Sequence, residues 1–300
     1  MTATSADDTG SQNSESLVGY YSDMGINSVP WNRQTWSEDY EWLDAGDEWS
    51  RWWGDTHAMW LAVVQPRVQA FVPAPTVLEI APGFGRWTQY LAHLAERLVL
   101  VDLAPRCIEH CRERFAGATH LEYHVNDGTS LAMVADDSVD LVFSMDSLVH
   151  ADATVLERYL EQLATKLTAD GVGFFHHSNL AAYARDLERA RRRSARTRAA
   201  LVAKGRLPHP QSFRDPGMSA ERFAAACDRV GLACIGQETI SWSSGAMMTD
   251  AFSLFTRKGS RWDRPNRCFA NPTFVDEAAR MRSLWSVASF RNEETPDPTR

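Results

Sequence analysis

The chain has 300 residues, 44% hydrophobic and 23% charged, with a formal net charge of -8, enough to bury one large core. That acidity argues against a general nucleic-acid binder, which needs a basic surface to neutralise phosphates, and no stretch approaches the roughly 20 apolar residues of a membrane helix. The N-terminus is polar and acidic without an apolar run, and five cysteines suggest no disulfide framework, so a cytoplasmic protein is expected.

Residues 1–34 are rich in Ser, Thr, Asp, Asn and Gly and are expected to stay flexible, because they bury too little surface to offset ordering entropy. The next stretch, 35–75, reads as helical and aromatic. Trp31, Trp36, Trp42, Trp49, Trp52, Trp53 and Trp60 supply seven of the eleven tryptophans. They either pack aromatic faces onto the core or form a lid over a ligand, whose positive charge indole faces would attract.

Residues 76–260 alternate strand and helix. Strands are expected at 76–80, 98–103, 121–127, 139–146 and 171–179, with helices at 88–98, 105–115 and 153–167 between them, and 233–242 and 251–259 read as closing antiparallel strands. The pattern predicts an α/β, Rossmann-like, doubly wound and mostly parallel seven-stranded sheet with an antiparallel edge strand. Within the helix after the second strand, Cys107 and Cys111 lie one turn apart while His110 projects from another face, which reads as buried packing rather than metal ligation. Residues 181–218 read as a helical insertion after the fifth strand, carrying Arg185, Arg189, Arg191, Arg192, Arg193, Arg196, Arg198, Lys204 and Arg206. Its ordinary meaning is a solvated helix face. Residues 261–300 carry one more helix and a polar tail.

In such a sheet a ligand is expected where strand order reverses, at the turn after the first strand, VLEIAPGFGRW. The turn has no Lys and Ser/Thr after its second glycine, which argues against a nucleoside triphosphate loop, and Thr88 stands where a dinucleotide fingerprint has Gly or Ala.

The run from Glu79 through Ala81 and Gly83 to Gly85 resembles the first motif of the class I S-adenosylmethionine-dependent methyltransferases, with Ala81 where the family most often has glycine. The resemblance covers 76–179 and the closing strands. It implies that Asp102, with Leu103 beside it, accepts hydrogen bonds from the ribose hydroxyls, a role suited to a carboxylate that only accepts. It further implies that Asp127 takes the adenine amino group beside Gly128, and that Ser144, Met145 and Asp146 line the methionine portion. The glycines would let the backbone approach the cofactor's amino-acid part.

Methyl transfer to an alcohol needs positioning and a base. His150, His176 and His177 are the candidates, with the fifth-strand pair favoured because that strand's end faces the acceptor side in this fold, and with Asp146 to orient the ring. Neighbouring strand residues point to opposite faces, so one of His176 and His177 is expected in the core. Some family members hold magnesium with an acid after the fourth strand and acid and amide groups after the fifth. Asp146 fits the first place, but His177, Ser178 and Asn179 offer no carboxylate at the second, so magnesium is not favoured and no metal ligands are assigned.

The stretches WGDTHAMW, IAPGFGRWTQYL and FHHSN resemble small-molecule methyltransferases of actinobacterial secondary metabolism. The expected function is therefore O-methylation of a small polar natural product such as a sugar or aminosugar unit, with N-methylation as the alternative and a non-catalytic binding protein behind both. Insertions after the fifth strand cap the acceptor pocket in this family, so the basic segment raises an anionic or carrier-linked acceptor. No nucleic-acid or membrane partner is expected, and a homodimer is compatible with the sequence.

Overall fold

The computed structural model describes residues 25–209, 212–242 and 247–288. Its centre is a sheet whose strands are β1 (Ala74–Ile80), β2 (Ala95–Asp102), β3 (Leu121–Val125), β4 (Val139–Ser144), β5 (Leu167–Ser178), β6 (Leu232–Ile240), β7 (Asp250–Arg257) and β8 (Arg267–Asn271). They lie in the order β3-β2-β1-β4-β5-β7-β6-β8. β7 runs antiparallel to both β5 and β6, and the remaining neighbours are parallel. Strand order reverses between β1 and β4, which opens a crevice at their carboxyl ends.

Period-two alternation divides the core between the two faces. Leu78, Ile80, Val99, Val101 and Phe175 meet the helices Ala153–Lys166 and Ala220–Arg229 on one face. Val77, Leu98, Leu100, Phe143 and Phe174 meet Met59, Trp60, Val63, Val64 and Val68 on the other. Those last residues belong to three helical pieces, Thr56–Met59, Trp60–Val64 and Gln65–Val68, that follow one another without a break. Asp55 caps their start by accepting from the Ala58 N–H at 2.8 Å.

Several expectations change. The sheet has an eighth strand, β8, paired to β6 from Gly236↔Arg267 to Ile240↔Asn271, in a stretch with no apolar alternation to announce it. The helix expected over 88–98 stops at Leu91, because residues 95–97 join β2 and pair with β1. Residues 1–24 lie outside the described residues, but 25–34 are anchored, contrary to the expected flexibility: the helix Val29–Gln34 is capped by Ser28, and Asn27 and Asn32 each donate to the His150 carbonyl, at 3.0 and 2.8 Å. The C-terminal helix Phe274–Ala288 packs Phe274 on Trp53, with ring centroids 5.2 Å apart, and Trp285 donates to Asp55 at 3.0 Å.

Candidate active site

The turn after β1 has three left-handed residues in five: Ala81 (φ 58°), Gly83 (φ 58°) and Gly85 (φ 86°). Ala81 adopts the conformation despite its Cβ; its N–H donates to Val101 O at 2.7 Å and its carbonyl accepts from the Ser147 hydroxyl at 2.8 Å. The glycines admit neighbouring side chains. A Cβ at Gly83 would lie 2.8 Å from the Trp42 ring, one at Gly85 2.6 Å from Phe115, and one at Gly128 2.8 Å from Val29.

Beneath this turn lies a first cavity of about 70 Å³. It is lined by Ala81, Gly83, Asp102, Leu103, Gly128, Met145 and Asp146, together with Trp36, Trp42 and Trp49 of the aromatic segment. The Asp102 carboxylate accepts from Ala104 N–H at 2.9 Å and Gly83 N–H at 3.2 Å. Burial pushes its pKa up to about 6, and these backbone bonds oppose the rise. A buried carboxylate at the carboxyl end of β2, amid apolar walls from Ile80, Val101 and Leu103, fits a nucleoside with a ribose diol.

Four of the expected cofactor residues do not line the cavity. Glu79 is buried behind the turn and accepts from the Thr88 hydroxyl at 2.6 Å; burial pushes it up to about 8. Gly85 packs on Phe115. Ser144 is fully buried, with a hydroxyl that has no hydrogen-bond partner among the described residues. Asp127 is exposed, contrary to its expected place beside adenine: its Oδ1 accepts from the N–H groups of Thr129 and Ser130 at 2.8 and 2.7 Å, a local turn that points the carboxylate into solvent.

A second cavity, of about 350 Å³, adjoins the first. The two share Trp36, Trp49 and Asp146. His150 lines the second cavity. Its Nδ1 is 3.1 Å from the Phe213 carbonyl, which only accepts, so Nδ1 carries the proton and Nε2 the lone pair. Burial first, then the charge of Arg214, pushes its pKa down to about 4.

The fifth-strand histidines correct the expectation that favoured them. Both are fully buried, neither lines either of these two cavities, and they point to opposite sides of the sheet. His176 accepts at Nδ1 from the Asp146 N–H at 3.2 Å, so Nε2–H donates to Asp250, also at 3.2 Å; it is the backbone of Asp146, not its carboxylate, that meets this ring. His177 stacks on Phe223 with centroids 4.4 Å apart; its Nδ1–H donates to Ser178 O at 2.8 Å and its Nε2 accepts from the Ser253 hydroxyl at 2.8 Å.

A buried row of charges, which sequence reasoning missed, runs past the junction of the cavities. Arg86 bonds Asp146 at 2.8 Å, Arg214 bonds Asp250 at 2.9 Å, and Arg214 lies 3.9 Å from Asp146. Arg86 also sits over the rings of Trp87 and Trp49, at 4.5 and 5.2 Å from their centroids. Burial would raise the Asp146 carboxyl, but Arg86, Arg214 and His176 together hold it below the ordinary range, so Asp146 is ionised. Of the row's members, Asp146 stood among the sequence candidates and Arg86 directly follows Gly85, whereas Arg214 and Asp250 had no signal in the sequence.

With Asp146 matched by two guanidiniums, and Ser178 and Asn179 bonded to Asp215 O and Met248 O, the residues weighed for magnesium do not form an oxygen ligand set. Among the described residues no group of three or more His, Cys, Asp or Glu is placed to hold a metal ion. In the basic insertion, Arg189 pairs with Asp186, and Arg191 and Arg192 with Glu188, along exposed helix faces. None of its nine cations lines either cavity.

Comparison with known proteins agrees with this architecture. Residues 77–171 match the methyltransferase domain family. No curated protein matches the chain. The PH0226 protein of Pyrococcus horikoshii OT3 is 16% identical, with 75% of this chain and 96% of that chain covered and a TM-score of 0.50. A SAM-dependent methyltransferase from Leishmania major is 11% identical over 76% and 82% of the two chains, with a TM-score of 0.52. DhpI, solved as a complex with SAH, is 19% identical over 81% and 98%, with a TM-score of 0.46. No helix among the described residues is long and apolar enough to cross a membrane. The family match places a methyltransferase domain from β1 to the start of β5 of this fold.

Proposed function

We propose that the first cavity holds S-adenosylmethionine and the second a small polar acceptor whose hydroxyl is methylated, with His150 taking the hydroxyl proton. The observation that carries this reading is the common wall of Trp36, Trp49 and Asp146: two adjoining cavities meet where a methyl group would pass. When bound, the cofactor supplies a methyl group already activated by its sulfonium charge. The chain's tasks are then to orient the two partners, keep water from the junction and remove a proton. Asp102 would receive the ribose hydroxyls, and the His150 Nε2 lone pair is the free basic position on the acceptor side. The apolar ring faces suit the C–H face of a sugar, in line with the narrower sequence resemblance to secondary-metabolite enzymes. Arg214, which follows the arginine-rich helices of the insertion, supplies the cation of the second cavity, and Asp250 answers its charge. That favours an acceptor recognised without an anionic carrier.

The direct test is mass spectrometry of a panel of polar hydroxylated compounds incubated with the enzyme and methyl-labelled cofactor; a panel-wide lack of labelled product would defeat the reading. Replacing Asp102 with alanine should weaken binding of S-adenosylhomocysteine by about 1.5 to 3 kcal/mol, the range for hydrogen bonds to a charged group. Calorimetry with an unchanged dissociation constant for a folded variant would remove Asp102 from the site.

The aromatic segment is proposed to close over the bound cofactor, since Trp42 lies against the position where Gly83 has no side chain. Hydrogen exchange over residues 36–53 should slow on adding S-adenosylhomocysteine. Identical exchange with and without it would leave these rings as packing alone.

A further inference from the structure

We propose that the second cavity recognises its acceptor by a protonated amine, seated among aromatic rings against the carboxylate of Glu48; this rests on reading that cavity as the acceptor site. Six Trp, Tyr and Phe rings line it: Trp36, Tyr40, Trp49, Trp52, Phe213 and Trp242. Indole and phenol faces attract an ammonium group through their quadrupole, more strongly as water is displaced.

The charges decide the sign of the ligand. Of the charged residues lining the cavity, Arg214 is bonded to Asp250 at 2.9 Å and Asp146 to Arg86 at 2.8 Å. Glu48 has no ion pair among the described residues. Neutral donors hold its carboxylate in place: the Tyr40 hydroxyl at 3.0 Å and the N–H groups of Asp44 and Gly46 at 3.2 and 2.8 Å. They orient the negative charge without cancelling it, so an incoming cation finds an acceptor that needs no further ordering. An anion would meet that charge as repulsion, and a neutral ring would gain only stacking. Glu48 belongs to the second cavity alone, whereas Asp146 stands where the two meet. The amine is thus an anchor, and the methylated atom is a different one.

The test uses one ring with three charges. Cyclohexylamine, cyclohexanol and cyclohexanecarboxylate are titrated at pH 7 into the full-length protein with S-adenosylhomocysteine present, following tryptophan fluorescence. The amine should bind at least tenfold more tightly than the alcohol, and the carboxylate more weakly than either, with the preference shrinking at high salt. Glu48→Gln should reduce the preference at least fivefold and leave the S-adenosylhomocysteine dissociation constant within twofold. Tyr40→Phe, which keeps the charge and removes one bond to it, should retain most of the preference and guards against a folding defect in the first variant. Equal binding of the three compounds, no binding of the amine, or a preference that survives Glu48→Gln in a folded protein would overturn the proposal. If instead the amine preference holds but turnover does not need His150, hydroxyl methylation fails and amine recognition stands. If turnover needs His150 while the three compounds bind alike, amine recognition fails alone.

Discussion

Replacing His150 with alanine or asparagine should lower turnover at saturating substrates by about a hundredfold to ten-thousandfold, the usual contribution of a general base, with S-adenosylhomocysteine binding retained. An unperturbed alcohol keeps its proton near neutrality, so an O-methyltransferase needs a base beside the hydroxyl. His150 meets the geometric requirement: the Phe213 carbonyl holds Nδ1–H, leaving the Nε2 lone pair on a ring that lines the second cavity. Burial and Arg214 push its pKa down to about 4, so the ring is neutral at neutral pH, with Nε2 free to accept a proton. The nearby Asp146 carboxylate would stabilise the imidazolium as it forms. The sign of the pH dependence follows. Lowering the pH from 7 leaves the base free until the ring protonates near pH 4, so the acidic limb of turnover should lie well below the ordinary histidine pKa of about 6.5. His177→Asn, away from both cavities, should cost stability and leave turnover per folded molecule near wild type. Near-normal turnover in both His150 variants would mean that the acceptor atom is an amine, which is nucleophilic without a base.

Asp250→Ala should destabilise the fold by about 3 to 5 kcal/mol, the cost of breaking a buried ion pair from one side. Asp250 is fully buried and its carboxylate is shared by Arg214 at 2.9 Å and His176 at 3.2 Å. Burial alone would raise this carboxyl, but Arg214 and His176 outweigh it and hold it well below the ordinary range. A depressed carboxyl contributes stability that is fully present above the unfolded pKa of about 3.9 and is lost as pH falls through the folded value, so the whole effect should appear at pH 7. Replacing Arg214 and Asp250 together with apolar residues of similar size should cost less than Asp250→Ala, because no buried charge is left behind. Urea unfolding at pH 7 measures all three proteins. A loss below about 1 kcal/mol for Asp250→Ala would show that water or a shifted Arg214 replaces the carboxylate.

Much of the fold follows from local pattern. The short apolar runs Val77–Ile80 and Leu98–Val101, and the glycines after Ile80, obey rules of buried parallel strands and of turn geometry that each segment carries alone. Their succession is enough to put a ligand crevice at the end of β1, and Asp102 at the end of β2 lines it. The side-chain assignments at the acceptor side were not legible in the same way. His176 and His177 sit where alternation puts them, but whether either ring meets a cavity depends on Asp250, Ser253 and Phe223, brought in by β7 and a distant helix. Asp127 took its expected role from the family resemblance, yet its side chain accepts from the N–H groups of Thr129 and Ser130 in an exposed local turn. Arg86, Asp146, Arg214 and Asp250 form one buried row from four separate stretches, and no periodicity links them. By itself, then, the sequence determined the doubly wound sheet, the glycine turn and the cofactor crevice, because these obey rules of neighbouring residues. Only the tertiary structure decided which histidine lines the second cavity, which acids are neutralised and that Glu48 is not, because burial and charge pairing are set by residues far apart in the chain.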